Sequence, residues 1–281
     1  MAKHWAEPVT SVLRADGQRV VDLDPSTTPG FTGDKQLGKK LLVERGLVLS
    51  DLQERLFANG RTGDRRSVLL VLQGMDTAGK GGIVRHVIGS VDPQGVDHAS
   101  FGVPTEEEKQ HDFLWRIRKR LPVPGQIGVF DRSHYEDVLV VRVHNLVPPS
   151  EWEKRYGLIN TFEREVADAG TTIIKVAMFV SLDEQKRRLR ERLERPDKHW
   201  KFNPTDITER AHWPEYQKAY QVLLDRTNTD YAPWYVLPAD SKWYARLAVT
   251  ELLIDALTGL DLDWPKADFD VAEQLRRLDE S

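Results

Sequence analysis

Gly74, Gly79 and Lys80 stand at the spacing G-x-x-x-x-G-K within LLVLQGMDTAGKGGIVRHVI, between an apolar run and a helical pattern. Glycines let a backbone curl so that its N–H groups face an anion, a helix start adds partial positive charge, and a lysine adds a full one. That chemistry is the holding of phosphate, with Met75, Thr77, Ala78, Gly81 and Gly82 as the rest of the cradle. A plain glycine turn is the alternative, and the order strand, loop, lysine, helix argues against it. Such loops normally continue with a serine or threonine whose hydroxyl holds a metal ion, but this chain has Gly81 there. A hard cation such as Mg²⁺ needs oxygen ligands from elsewhere. Asp76 lies inside the loop, and Asp131 ends the apolar run of GVFDRSHYEDV, where phosphate-loop enzymes keep a metal-directed carboxylate. Asp76 and Asp131 are therefore the expected metal residues, directly or through water. An Asx turn at Asp76 and a helix cap at Asp131 are the plainer alternatives.

Cations suited to phosphate follow. Arg132 comes directly after the second aspartate. Between Leu182 and Lys201 the chain carries eight Lys and Arg against five acids. On a helix, Arg188, Arg192 and Arg195 fall on one stripe and Leu182, Leu189 and Leu193 on another. Read functionally, this helix is a lid whose guanidiniums clamp a moving phosphoryl group. Read structurally, it is a solvated face with ordinary pairs such as Glu184–Arg188 and Glu191–Arg195. Lys198 and Lys201 follow the proline that ends the helix. A second basic group, Lys109 to Arg120, offers Arg116 as a cleft residue. His111 and His134 lack metal-ligand spacing, and Trp115, Trp152, Trp213, Trp234 and Trp243 suit packing better than base stacking.

These residues need a scaffold. SVLLVLQ (67–73), IGVFD (127–131), TIIKVAMFV (172–180) and WYVLP (234–238) are apolar runs without alternation, as in parallel strands buried on both faces. HASF (98–101) is a weaker fifth. Helical patterns separate them, including TEEEKQHDFLWRIRKRL with its Thr105/Glu108 capping box. The expected fold is α/β: a P-loop kinase-like, doubly wound parallel sheet of about five strands with a helical lid. Residues 1–40, rich in Pro, Gly, Asp and Thr, read as an irregular arm. Residues 41–281 read as one phosphotransferase domain including a lid over 182–212. The 281 residues are 40% apolar and contain no cysteine, and their net charge is −4. No apolar signal core and no run of about 18 apolar residues occurs. The expectation is a cytoplasmic protein without disulfides, membrane span or nucleic-acid partner, whose anion site is a local patch.

The motifs GMDTAGKGG, PQGV, HDFLWR, FDRSHYEDVLVVRVH, DEQKRRLRERLERPDKHWKF and APWYVLPADSKWYARLAV together resemble the polyphosphate kinase 2 family over about residues 40–260. The resemblance implies a thymidylate-kinase-like fold and Mg²⁺-dependent phosphoryl transfer, with Mn²⁺ as a substitute. Transfer would run reversibly between inorganic polyphosphate and ADP or AMP, or their guanine counterparts GDP and GMP. It implies Asp76, Lys80, Asp131, Arg132, Arg188 and Arg192 as catalytic residues, and a homo-oligomer, dimer or tetramer. HDFLWR and YEDVLVVRVH are similar to the branch that accepts AMP as well as ADP, whereas aspartate at position 131 is typical of the branch that accepts diphosphates. Two other functions fit the same loop and lid: an ATP-dependent nucleoside-monophosphate kinase, and a nucleotide-binding regulatory module.

Overall fold

A computed structural model describes residues 4–281. Five parallel strands form one sheet: β1 (Ser67–Gln73), β2 (Val96–Ser100), β3 (Ile127–Asp131), β4 (Thr171–Phe179) and β5 (Trp234–Pro238). Their spatial order is β2-β3-β1-β4-β5, so the chain leaves β1 in one direction and returns to its other side at β4. The strand ends flanking β1 therefore diverge, and an α/β sheet binds its ligands in the crevice opened there. The register sets Leu72 of β1 beside Asp131 of β3, which brings the loop after β1 next to the end of β3. The four apolar runs became strands almost to the residue, because both faces of the central strands are covered. The weak HASF segment is the edge strand β2, with only Ala99 buried.

Two apolar layers sandwich the sheet. One contains Leu70, Leu72 and Val176 from the strands with Leu49 and Leu56 of α1 (Lys35–Arg61). Helices α2 (Lys80–His86) and α6 (Lys242–Gly259) complete that layer, the latter contributing Leu247, Leu252 and Leu253. The other layer contains Leu69, Val71 and Phe130 with Ile159 and Phe162 of α3 (Pro149–Asp168) and Leu223 of α5 (Trp213–Thr227). Helix α4 (Leu182–Glu194) follows β4. Ser181 caps it by accepting a hydrogen bond from the Glu184 N–H, and it ends before Pro196 as expected of that residue.

Two expectations change. The first 40 residues are not a separate arm. Trp5, Val9, Leu13 and Phe31 are buried in the first layer, and Ala15 donates its N–H to the Trp234 carbonyl at the edge of β5. Helix α1 begins at Lys35, capped by the Asp34 carboxylate. The helix expected from Thr105 does not run through. The capping box forms, with the Glu108 N–H donating to Thr105 Oγ1 and the Thr105 N–H to Glu108 Oε2. Only a single turn follows, because Asp112 accepts from the Leu114 N–H and starts a new turn at Trp115–Arg118. No described helix is long and apolar enough to cross a membrane.

Candidate active site

The loop between β1 and α2 has the conformation that its glycines allow. Gly79 takes φ +116°, which other residues avoid, and a side chain at Gly74 would meet the Met178 carbonyl oxygen at 2.8 Å. Thr77 also has positive φ, at +65°, and its buried hydroxyl has no hydrogen-bond partner. Arg132 has φ +64°. Non-glycine residues in this region store strain of about 1–3 kcal/mol each and cluster where function fixes the backbone. Gly81 faces open space, so its missing hydroxyl is not imposed by crowding.

A cleft of about 690 Å³ opens over this loop. Asp76, Thr77, Ala78, Gly79, Lys80, Gly81 and Gly82 line it from the loop, and Asp131 and Arg132 line it from the end of β3. Arg188, Arg192, Arg195, Lys198 and Lys201 line it from the lid. Gly74 and Met75, expected in the cradle, do not line it. The Lys80 ammonium is buried and donates to the Gly74 carbonyl. Burial lowers its pKa, and the negative charges of Asp131 and Asp76 act in the opposite sense. Arg132 Nη2 donates to Asp76 Oδ1 at 2.9 Å, joining the two strand ends across the cleft floor. Arg192 Nη1 bridges the Lys201 carbonyl and the Asp206 carboxylate inside the lid, at 3.0 and 3.1 Å, and the residue lines the cleft.

Two sequence expectations do not hold geometrically. Arg188 borders the cleft but is 4% exposed, and all five of its N–H donors are engaged. Its partners are Glu184 and the carbonyls of Thr77, Ala78, Ala239 and Asp240, so it has no donor left for a transferring phosphoryl group. The reason is packing: the Gln185/Arg188 face of α4 turns inward. Of the leucine stripe only Leu189 is buried, and Leu182 and Leu193 are 40% and 48% exposed. Arg116 is not a cleft wall either. It lies behind Phe101, donating to the Gly102 carbonyl and paired with Glu108 and Asp137.

Several cleft residues were not among the expected site residues. Arg85 and His86 extend α2 beyond the loop, Lys242 and Arg246 approach from α6, and Asp206 comes from the lid's return. The pKa of Arg246 is lowered by burial and then by the positive charges of Arg188 and Arg85. That of Lys201 is lowered by burial, then by Lys198 and Arg192. Cations so placed repel one another and gain from any polyanion that enters. Only spacing relative to the loop could have flagged Arg85; Lys242 and Arg246 lie within the motif APWYVLPADSKWYARLAV, which gave them no role of their own.

A phosphate loop at the divergence of a parallel sheet, a paired aspartate and arginine at the next strand end and a cationic lid define a phosphotransferase of the P-loop class. The family model for polyphosphate kinase 2 (PPK2) matches residues 33–263, and the chain belongs to that family. The chain is 48% identical over 243 residues to an AMP/ADP-polyphosphate phosphotransferase of Meiothermus ruber, covering 86% of this chain and 90% of the relative. It is 40% identical to an ADP-polyphosphate phosphotransferase of Rhodopseudomonas palustris, covering 92% of each chain. The crystal structure of polyphosphate kinase 2 from Arthrobacter aurescens TC1 superposes with a TM-score of 0.97 at 54% identity, over 100% of this chain and 99% of that one.

Proposed function

We infer that this enzyme transfers the terminal phosphoryl group of inorganic polyphosphate to ADP, and less readily to AMP, and that it runs the same transfer backwards. The observation that carries this is the cation lining of the cleft. It includes Lys80, Arg85, Lys198, Lys201 and Arg246, more positive charge than one nucleotide needs. A flexible polyanion suits such a wall. The names of the relatives from Meiothermus ruber and Rhodopseudomonas palustris, an AMP/ADP- and an ADP-polyphosphate phosphotransferase, support both substrates.

In the step itself, an oxygen of the acceptor's terminal phosphate bonds to the terminal phosphorus of the polyphosphate. The bridging P–O bond breaks, and its electron pair leaves on the shortened chain. The acceptor oxygen is already anionic, so no general base is needed. Lys80 and the loop amides hold the donor. Arg132 and Arg192 stabilise charge on the equatorial oxygens, an effect worth about 10³–10⁵ in rate where single arginines have been measured. Asp76 and Asp131 are half-buried carboxylates opening on one cleft from neighbouring strand ends. Among the described residues no three-residue metal cage exists. Two carboxylates suit Mg²⁺, which keeps water and phosphate oxygens among its ligands; when bound, such an ion screens the repulsion between donor and acceptor. The same reading includes a homo-oligomer, supported by Val43 and Leu47 left exposed on α1.

A matrix of polyphosphate and ATP as donors against AMP, ADP, GMP and GDP tests the proposal. Product should form with polyphosphate, fastest with diphosphates. A charged Asp131 repels an unscreened phosphate more than a chelating diphosphate, so Asp131→Asn should move the kcat/KM ratio toward AMP. Product with ATP as the only donor would indicate a nucleoside-monophosphate kinase, and no transfer with any donor would indicate a regulatory module.

A further inference from the structure

Three successive carbonyls of the phosphate loop are held by side chains of one helix. Gln185 Nε2 donates to the Asp76 carbonyl at 3.1 Å. Arg188 Nη1 donates to the carbonyls of Thr77 and Ala78 at 2.8 and 3.1 Å. Both residues are buried, 1% and 4% exposed. A second anchor fixes each of them. Arg188 Nη2 donates to the Ala239 and Asp240 carbonyls beyond β5. The Gln185 amide oxygen accepts from Arg210 Nη1 at 2.7 Å, which leaves its NH₂ facing the loop. Arg210 lies on the lid's return and also donates to the Leu182 carbonyl.

In a trans peptide the C=O and the following N–H point in opposite directions. Pulling the carbonyls of Asp76 and Ala78 toward α4 therefore turns the N–H groups of Thr77 and Gly79 away from it. Thr77 and Gly79 both line the cleft. The Ala78 N–H, between them, is satisfied by the Met75 carbonyl. Thr77 takes a positive φ, which is unfavourable for a residue other than glycine, so hydrogen bonds from outside the loop help to hold it.

We propose that Gln185 and Arg188 form a bracket that fixes the peptide planes of the phosphate loop, and that both are positioning residues which do not touch the moving phosphoryl group. This deepens the reading of the site as a phosphotransferase and rests on it. It follows that the first two turns of α4 belong to the rigid floor of the site. The segment free to close over substrate begins beyond Arg188.

Gln185 separates this bracket from a charge effect, because it is neutral and does not line the cleft. The first measurement is hydrogen–deuterium exchange over residues 74–80 in the substrate-free full chain. Gln185→Ala and Arg188→Lys should each speed exchange there about five- to tenfold, while β1 stays unchanged, since one neutral hydrogen bond is worth about that factor. The second is equilibrium binding of inorganic polyphosphate together with steady-state rates. Gln185→Ala should weaken binding about fivefold along with its loss of kcat. Arg188→Lys, which keeps the charge and loses the fork, should be no better than Arg188→Ala. Arg190→Ala, on the exposed side of α4, should behave as the parent. Unchanged loop exchange in both variants overturns the bracket. So does an Arg188→Lys enzyme with normal binding and a kcat close to the parent's, because a charge acting on the phosphoryl group would be rescued by lysine. The exchange experiment contains no substrate, so its outcome is independent of whether polyphosphate is the donor.

Discussion

Two clusters of charge, one under a face of the sheet and one over its strand ends, are wired differently. Beneath the sheet, Lys175 of β4 donates to Glu163 Oε2, Tyr135 Oη and the Thr227 carbonyl at 2.6, 2.8 and 2.7 Å. Glu163 also accepts from Tyr135 at 2.7 Å and contacts His134 at 3.2 Å. Every ammonium proton has a fixed partner and none reaches solvent. Burial lowers the Lys175 pKa and opposes ionisation of Glu163, whose carboxyl is nevertheless held below its usual range by Lys175. Above the strand ends, Lys201 and Arg246 have mainly other cations around them. The difference shows which charges are structural. A buried cation with all donors engaged holds the protein together, and a cation with free donors beside a cleft awaits a ligand. Arg188 borders the cleft yet belongs by its bonding with the first kind.

The largest effect should come from Asp76→Asn. It removes a carboxylate proposed for metal binding that Gly81 cannot replace, and it frees Arg132. Transfer should fall by about 10³-fold or more, with the melting temperature nearly unchanged. A variant that keeps near-normal turnover at ordinary Mg²⁺ would break the distinction on the cleft side. Next, Lys175→Met should strand Glu163 as an uncompensated buried charge and cost about 3–5 kcal/mol by denaturant unfolding. Transfer by the enzyme that remains folded should stay within about twofold of the parent. Loss of activity without loss of stability would show that the buried cluster serves the chemistry.

Arg192→Ala comes third. It should lower kcat about tenfold with little change in nucleotide KM, because its free donors act on transition-state charge. Its pair with Asp206 is partly exposed, so stability should fall by less than about 1 kcal/mol. The smallest effect concerns Asp137, paired with Arg155 at 2.8 Å. Burial pushes its pKa up to about 6 despite Arg155 and Arg116. A carboxyl raised in this way contributes stability at acid pH, below its unfolded value, and loses it as pH rises through about 6. The melting temperature of Asp137→Asn relative to the parent should therefore rise by a few degrees between pH 5 and pH 8. A difference independent of pH would mean that Asp137 stays ionised throughout.

Much of this was legible along the chain. β1, β3, β4 and β5 are continuous apolar runs because central parallel strands are covered on both faces, and local composition records that. The phosphate loop was legible because its chemistry resides in consecutive residues whose spacing is the function. Asp131 and Arg132 were legible because they end a strand. The lid was harder to read. A stripe of arginines marks one face of α4, but helical periodicity cannot say which face is buried, and here an arginine and a glutamine go inward while two leucines stay out. The Thr105 segment misled for a related reason. Its capping box is real, yet Asp112 restarts the backbone before a second turn forms.

By itself, the amino-acid sequence determined the phosphate loop, the two aspartates, the parallel strands and the family, since each depends on neighbours in the chain. Only the tertiary structure decided which cations face substrate. That choice depends on what every N–H donor meets across the fold: carbonyls of Ala239 and Asp240 for Arg188, the Gly102 carbonyl for Arg116, and other cations around an open cleft for Lys201 and Arg246. Those partners lie up to 161 residues away along the chain, as with Arg246 and Arg85, and no local pattern encodes them.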